Sequence, residues 1–179
     1  GESVELLSRD EAESYIGSSA FYGALLDRRA GTINPMGYCR GLARVAIAAG
    51  ALISIGARAK KLQQETGLWR VTTNKGTLTA RHVVLGTNAY TDDLWPGLKY
   101  SFTKINYFQL ATSPLGDRIK HILPQQQGLW DTGKIMFSLR RDDSERLIIG
   151  SMGNVMGNQS GGVSHRWAQK KLAHLFPKL

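Results

Sequence analysis

The run Val83-Val84-Leu85, closed by Gly86-Thr87-Asn88, constrains the fold of this chain more than any other stretch. Three apolar residues, two of them β-branched, are too few for a helix. Followed by a glycine and two small polar residues, they read as a buried strand opening into a tight turn. In an open α/β sheet such a carboxyl-terminal strand end faces the crevice where ligands sit, because backbone amides there are free to meet oxyanions. The stretch points to a nucleotide-type ligand, with a core strand and an ordinary glycine-centred turn as the plainer alternative.

The chain has 179 residues, 42% hydrophobic and 21% charged, enough to bury a core as one domain or as parts of two. Its longest weakly polar run, Leu42 to Ile55, is interrupted by Arg44 and falls short of the roughly 20 residues that span a bilayer, so no membrane span is expected. Glu2, Glu5, Asp10, Glu11 and Glu13 make the amino terminus the reverse of a secretory signal, and a cytoplasmic setting follows as the expectation. Cys39 is the single cysteine and is expected as a small buried hydrophobe on the apolar face of a helix. The net charge of +9 is spread over pairs such as Lys60-Lys61, Arg140-Arg141 and Lys170-Lys171. A nucleic-acid surface would show a basic stripe with aromatics placed to stack bases, so no nucleic acid is expected, whereas an anionic cofactor or substrate suits the charge. The chain opens at Gly1 without a Met and closes at Leu179 just after a helix-like segment, which reads as a fragment whose partner is the remainder of its own polypeptide.

Ser8 followed by Glu11 is a capping box, predicting a helix through about Tyr15 that ends near Gly17. Ala20 to Asp27 reads as a strand. Asn34 then caps the strongest helix, with Pro35 in its first turn and Cys39, Leu42, Ala43, Ala46 and Ala49 at helical spacing, closed by Gly50; its small inner face suits a sheet. Ala51 to Ile55 reads as a short strand, followed by a β-meander of Ala57–Gln63, Leu68–Thr73 and Thr77–Ala80 beside a parallel layer. Past Pro96 the character changes. Thr103 to Ala111 alternates as a strand, Lys134–Arg140 and Arg146–Ser151 read as an antiparallel pair, and Ser164 is expected to cap a last helix stopped by Pro177.

Motifs for other chemistries are missing. Gly150, Gly153, Gly157, Gly161 and Gly162 follow an Ile-Ile strand but match neither a dinucleotide fingerprint nor a P-loop, and read as a surface loop. His82, His121, His165 and His174 have no metal-ligand spacing among themselves or with Cys39, and no serine nucleophile elbow occurs.

The order of features resembles one family. Gly23-Ala24-Leu25-Leu26-Asp27, Gly31-Thr32-Ile33-Asn34-Pro35, Gly41-Leu42-Ala43, Gly50-Ala51 and the Val83 to Tyr90 stretch look like the middle of the D-amino-acid oxidase (DAO) family of FAD-dependent oxidoreductases. Asn88-Ala89-Tyr90 and Ala111-Thr112-Ser113-Pro114-Leu115 are most similar to the branch containing gamma-glutamylputrescine oxidoreductase, and Arg146-Leu147-Ile148-Ile149-Gly150 resembles the family's substrate-domain strand. The resemblance implies an α/β to α+β chain: residues 1–98 as part of a three-layer FAD-binding domain, and residues 99–179 as part of an antiparallel-sheet substrate domain. It implies FAD contacts near Ala59, where the family usually has Val, and at Gly86, Thr87, Asn88 and Ala89. Lys104, Tyr107 and Arg140 are the implied substrate-facing candidates, since a cation or phenol on such a strand can hold the carboxylate or amine of a small amine or amino-acid substrate. Two family segments are missing from the sequence, the Gly-x-Gly-x-x-Gly turn that binds the FAD pyrophosphate and the glycine-rich segment over the flavin ring. The alternative reading is a non-enzymatic basic α+β module that binds an anionic partner.

Overall fold

The computed structural model describes residues 3–156 and 162–179. Two compact units emerge, one of Gly1–Met36 with Ile105–Leu179 and one of Gly37–Lys104, so the amino-terminal segment clusters with the carboxyl-terminal part.

In the first unit, β1 (Val4–Leu7) pairs antiparallel with β2 (Ala24–Asp27) across the intervening helix α1 (Arg9–Ile16). The expected capping box is present: Ser8 Oγ accepts from the Glu11 amide at 3.4 Å, and Glu11 Oε2 accepts from the Ser8 amide at 2.8 Å. Gly17 ends the helix at φ 78°, and a β-carbon there would lie 2.2 Å from the His121 carbonyl oxygen, so both conformation and close approach require glycine. The main sheet is antiparallel in the order β6-β9-β8-β7, with β6 Tyr107–Ala111, β7 Leu129–Trp130, β8 Phe137–Arg141 and β9 Leu147–Met152. Helix α3 (Val163–Leu175) covers one face of it. Period-two alternation decides which residues meet the helix. Phe137, Leu139, Leu147 and Ile149 are buried with Ala168, Leu172 and Leu175, and Phe108 stands edge-to-face with Trp167 at 5.7 Å. Gly162 rather than Ser164 caps α3; Ser164 Oγ instead accepts the Met156 amide at 2.9 Å. The polar, glutamine-rich connection ahead of β7 contributes Ile119, Ile122 and Leu123 to the core, which its composition did not announce.

The β8–β9 turn is held by Asp142, which accepts from the amides of Ser144 and Arg146 and from the Arg146 guanidinium at 2.6 and 2.9 Å. Burial would push this carboxyl up, but those hydrogen bonds and the Arg146 charge outweigh it and hold Asp142 below the usual carboxylate range. A group depressed on folding stabilises the fold fully above its unfolded pKa and loses that contribution as pH falls through its folded value. Replacing Asp142→Asn is therefore expected to cost about 1 kcal/mol at neutral pH and to flatten the fall of Tm below pH ~4. Thermal unfolding across pH checks this, and an unchanged acid slope would contradict it.

The second unit is laid out differently. Helix α2 begins at the junction as Pro35–Ala48, and β3 (Ala59–Glu65), β4 (Leu68–Thr73) and β5 (Gly76–Ala80) form the expected meander, closed by Trp69 against Trp95 with ring centroids 5.8 Å apart. None of the buried hydrophobic residues of the chain's core belongs to this unit among the described residues. Three expectations fail here for one reason. Ala51–Ile55 and Val83–Leu85 form no ladder, with Leu52 fully exposed and Val84 91% exposed, and Cys39 is exposed on a helix that buries no residue. A strand needs a hydrogen-bonding neighbour and an apolar face needs a surface to cover it. The described residues supply neither, and every ladder they form is antiparallel, so the parallel layer is not among them.

Candidate functional site

Two places carry the residues singled out in the sequence, one in each unit. In the Gly37–Lys104 unit, the segment after Leu85 makes a single 3-10 turn, Asn88–Tyr90. Asn88 adopts φ 44°, Tyr90 N donates to the Thr87 carbonyl at 3.0 Å, and the hydroxyls of Thr87 and Thr91 lie 2.7 Å apart. Thr91 is buried, which pins the end of the turn, while Gly86, Thr87, Asn88 and Ala89 are exposed. A β-carbon at Gly86 would meet nothing within 4 Å, and the amides of Asn88 and Ala89 donate to no group among the described residues. Among the described residues no side chain plugs the corner, and its unbonded backbone amides are donors of the kind that the phosphate or ring-nitrogen acceptors of a dinucleotide take. Ala59 heads β3 and lines a groove of about 450 Å³ with Arg58, Lys60, Asp92, Asp93 and Leu94. Arg58 bonds Asp92 at 3.0 Å, tying the start of the meander to the residue just past the turn.

In the other unit, the sheet face turned away from α3 presents Tyr107, Gln109, Ser138, Arg140, Ile148, Gly150 and Met152. The register sets them in rows: Gln109, Gly150 and Ser138 lie side by side, and Ala111, Ile148 and Arg140 form the next row. Tyr107 leans across this face, and its hydroxyl donates to Ser138 Oγ at 2.8 Å. Its ring covers Gly150: a β-carbon at that position would lie 2.7 Å from Tyr107 Cε1 and 2.6 Å from the Phe108 carbonyl oxygen, so only glycine admits the ring. Arg140 Nη1 donates to the Ile33 carbonyl at 3.3 Å, and Arg140 lines a polar pocket of about 260 Å³ whose walls include Thr32, Asn34 and Gln126 on one side and Asp142, Asp143 and Arg146 of the β8–β9 turn on the other.

The structure thus brings Tyr107 and Arg140 to one sheet face. Lys104, expected on the same strand, is not on it: β6 begins only at Tyr107, and Lys104 sits ahead of it as an exposed residue of the Gly37–Lys104 unit. Sequence reasoning missed Ser138 and Gly150. Alternation along each strand could have placed both on the outer face, but only the β6-β9-β8 register sets them under the Tyr107 ring. The glycine-rich stretch falls partly on residues 157–161, outside the described residues, and among the described residues no His, Cys, Asp and Glu cluster could hold a metal and no helix is long and apolar enough to cross a membrane.

A family model described as FAD dependent oxidoreductase (DAO) matches residues 1–179. The probable oxidoreductase OrdL of Rhizobium meliloti (strain 1021) is 27% identical over 176 residues, covering 98% of this chain and 41% of that protein. Gamma-glutamylputrescine oxidoreductase of Escherichia coli (strain K12) is 27% identical over 183 residues, again covering 98% and 41%. Glycine oxidase from Geobacillus kaustophilus superposes with a TM-score of 0.71 at 19% identity, over 99% of this chain and 47% of that one. NikD, an amino acid oxidase essential for nikkomycin biosynthesis, gives 0.62 at 21% identity, over 97% and 49%. At those identities the two structures speak for the fold alone. The chain spans less than half the length of the relatives it matches.

Proposed function

The chain belongs to the DAO family of FAD-dependent oxidoreductases, and from that premise we propose that it supplies the substrate face and part of the cofactor face of an enzyme that oxidises the C–N bond of an amine or amino acid. When bound, FAD supplies the acceptor for a hydride leaving the carbon beside the substrate nitrogen, and the resulting imine hydrolyses to a carbonyl. The chain's own share is position and charge. Arg140 offers a planar guanidinium for a substrate carboxylate, Tyr107 a phenol for a second polar contact, and the Gly86–Ala89 corner with Ala59 a backbone cradle for the dinucleotide.

The observation that carries this reading is the outer sheet face, which presents both a cation and an anchored phenol on a sheet whose other face packs Phe137, Leu139, Leu147 and Ile149 into the core. The proposal assigns cofactor contacts to the Gly37–Lys104 unit and substrate contacts to the four-stranded sheet, which refines the division into residues 1–98 and 99–179. The exposed apolar residues Leu52, Ile55 and Val84, with an α2 that buries nothing, are in this reading covered by the remainder of a longer polypeptide, and the relatives are more than twice as long as the portion matched here. A cytoplasmic setting is part of the same reading. The test is cofactor uptake: the full-length polypeptide carrying this chain is expected to purify with the visible absorption of a flavin or to gain it with added FAD. A colourless protein that gains no band would contradict the proposal.

A further inference from the structure

The Tyr107–Ser138 contact joins strands that are not neighbours. β9 runs between β6 and β8, and the phenol reaches Ser138 only because Gly150, between them, has no side chain. A ring 42% exposed would ordinarily sample several rotamers, and the hydrogen bond at its far end restricts it to one. Because the Tyr107 hydroxyl is the donor, its oxygen keeps acceptor capacity and Ser138 keeps a hydroxyl proton, so the pair shows one acceptor and one donor to whatever lies on this face. Arg140 is two residues along β8 on the same face, its α-carbon about 7 Å from that of Ser138 by strand geometry.

We propose that Ser138 is a positioning residue that fixes Tyr107 over Gly150, and that this hydroxyl pair selects substrates bearing a neutral hydrogen-bonding group in addition to the group held by Arg140. The inference rests on the reading of this face as the substrate face. A group that both donates and accepts, such as a hydroxyl or a carboxamide, satisfies both partners. A methyl at the same place leaves them unpaired and is disfavoured.

The experiment compares two substrates of the full-length holoprotein, alike except that one ends in a carboxamide and the other in a methyl group of similar size. Ser138→Ala and Tyr107→Phe are each expected to lower the ratio of their kcat/KM values about tenfold, with the double variant no worse than either single one, and Ser138→Thr is expected to restore the ratio. A readout independent of turnover is the fluorine NMR line of 3-fluorotyrosine at position 107, identified by its loss in Tyr107→Phe. It is expected to shift in Ser138→Ala and to return in Ser138→Thr. Arg140→Ala is run alongside. If Arg140→Ala raises KM while Ser138→Ala moves neither the ratio nor the fluorine line, the positioning role is overturned and the substrate face stands. If Arg140→Ala also leaves KM unchanged, the reading of the face falls and the inference with it.

Discussion

Gly150→Ala is expected to destabilise the fold by roughly 2–3 kcal/mol and to lift Tyr107 off the sheet. The added methyl would sit 2.6 Å from the Phe108 carbonyl oxygen and 2.7 Å from Tyr107 Cε1, and the two obstacles differ in kind. The tyrosine ring can swing away at the loss of its bond to Ser138. The carbonyl belongs to β6, and β9 is an inner strand paired on both sides, so the backbone can yield only by spreading a ladder that also carries buried Leu147 and Ile149. Denaturant unfolding of the full-length polypeptide would measure the loss, and Tyr107→Ala separates the two obstacles. With the ring already gone, Gly150→Ala should still destabilise through the backbone clash, but by less. A Gly150→Ala variant as stable as the parent would show that the close approach of the Tyr107 ring and β6 backbone is not real.

Arg140→Ala is expected to raise KM for carboxylate-bearing substrates about a hundredfold while changing kcat little, because the guanidinium contact is present in both ground and transition states. Among the described residues its guanidinium makes one hydrogen bond, from Nη1 to the Ile33 carbonyl at 3.3 Å, and it lines a pocket shared with Asp143 and with Asp142, whose carboxylate is already held by Arg146. Arg140→Lys should recover only part of the loss, since an ammonium cannot make the paired bonds of a planar fork. An amine without a carboxylate should be turned over equally well by all three proteins. Steady-state kinetics of the full-length protein with matched acid and amine substrates decides the matter, and equal KM changes for both would reduce Arg140 to a strand residue with a structural role.

Local chemistry was legible in the sequence. The Ser8–Glu11 capping box, the Asn34-Pro35 helix start, the meander and the β8–β9 hairpin depend on residues close in sequence, and each is found within a few positions of where patterning put it. What patterning could not supply was the neighbour. Val83–Leu85 and Ala51–Ile55 have strand-like composition yet form no ladder, because a strand is defined by its partner and none lies among the described residues. Cys39 is exposed where burial was expected, because periodicity says which face of a helix is apolar and not whether anything covers it. Val4–Leu7 was missed for the converse reason: its pairing with Ala24–Asp27 spans a whole helix, and four residues carry too little pattern to predict it. The candidate site divides along the same line. Tyr107 and Arg140 were named from residue type and strand position, whereas the bond to Ser138 and the need for glycine at 150 follow from register across three strands.

The most direct measurement of the central claim is anaerobic mixing of the flavin-loaded full-length polypeptide with a panel of amino acids and primary amines, following the visible flavin band and assaying for a carbonyl product. The account predicts that at least one member of the panel bleaches the band and yields the matching aldehyde or keto acid. A flavin that stays oxidised with every member, under conditions where a chemical reductant bleaches it, would contradict it.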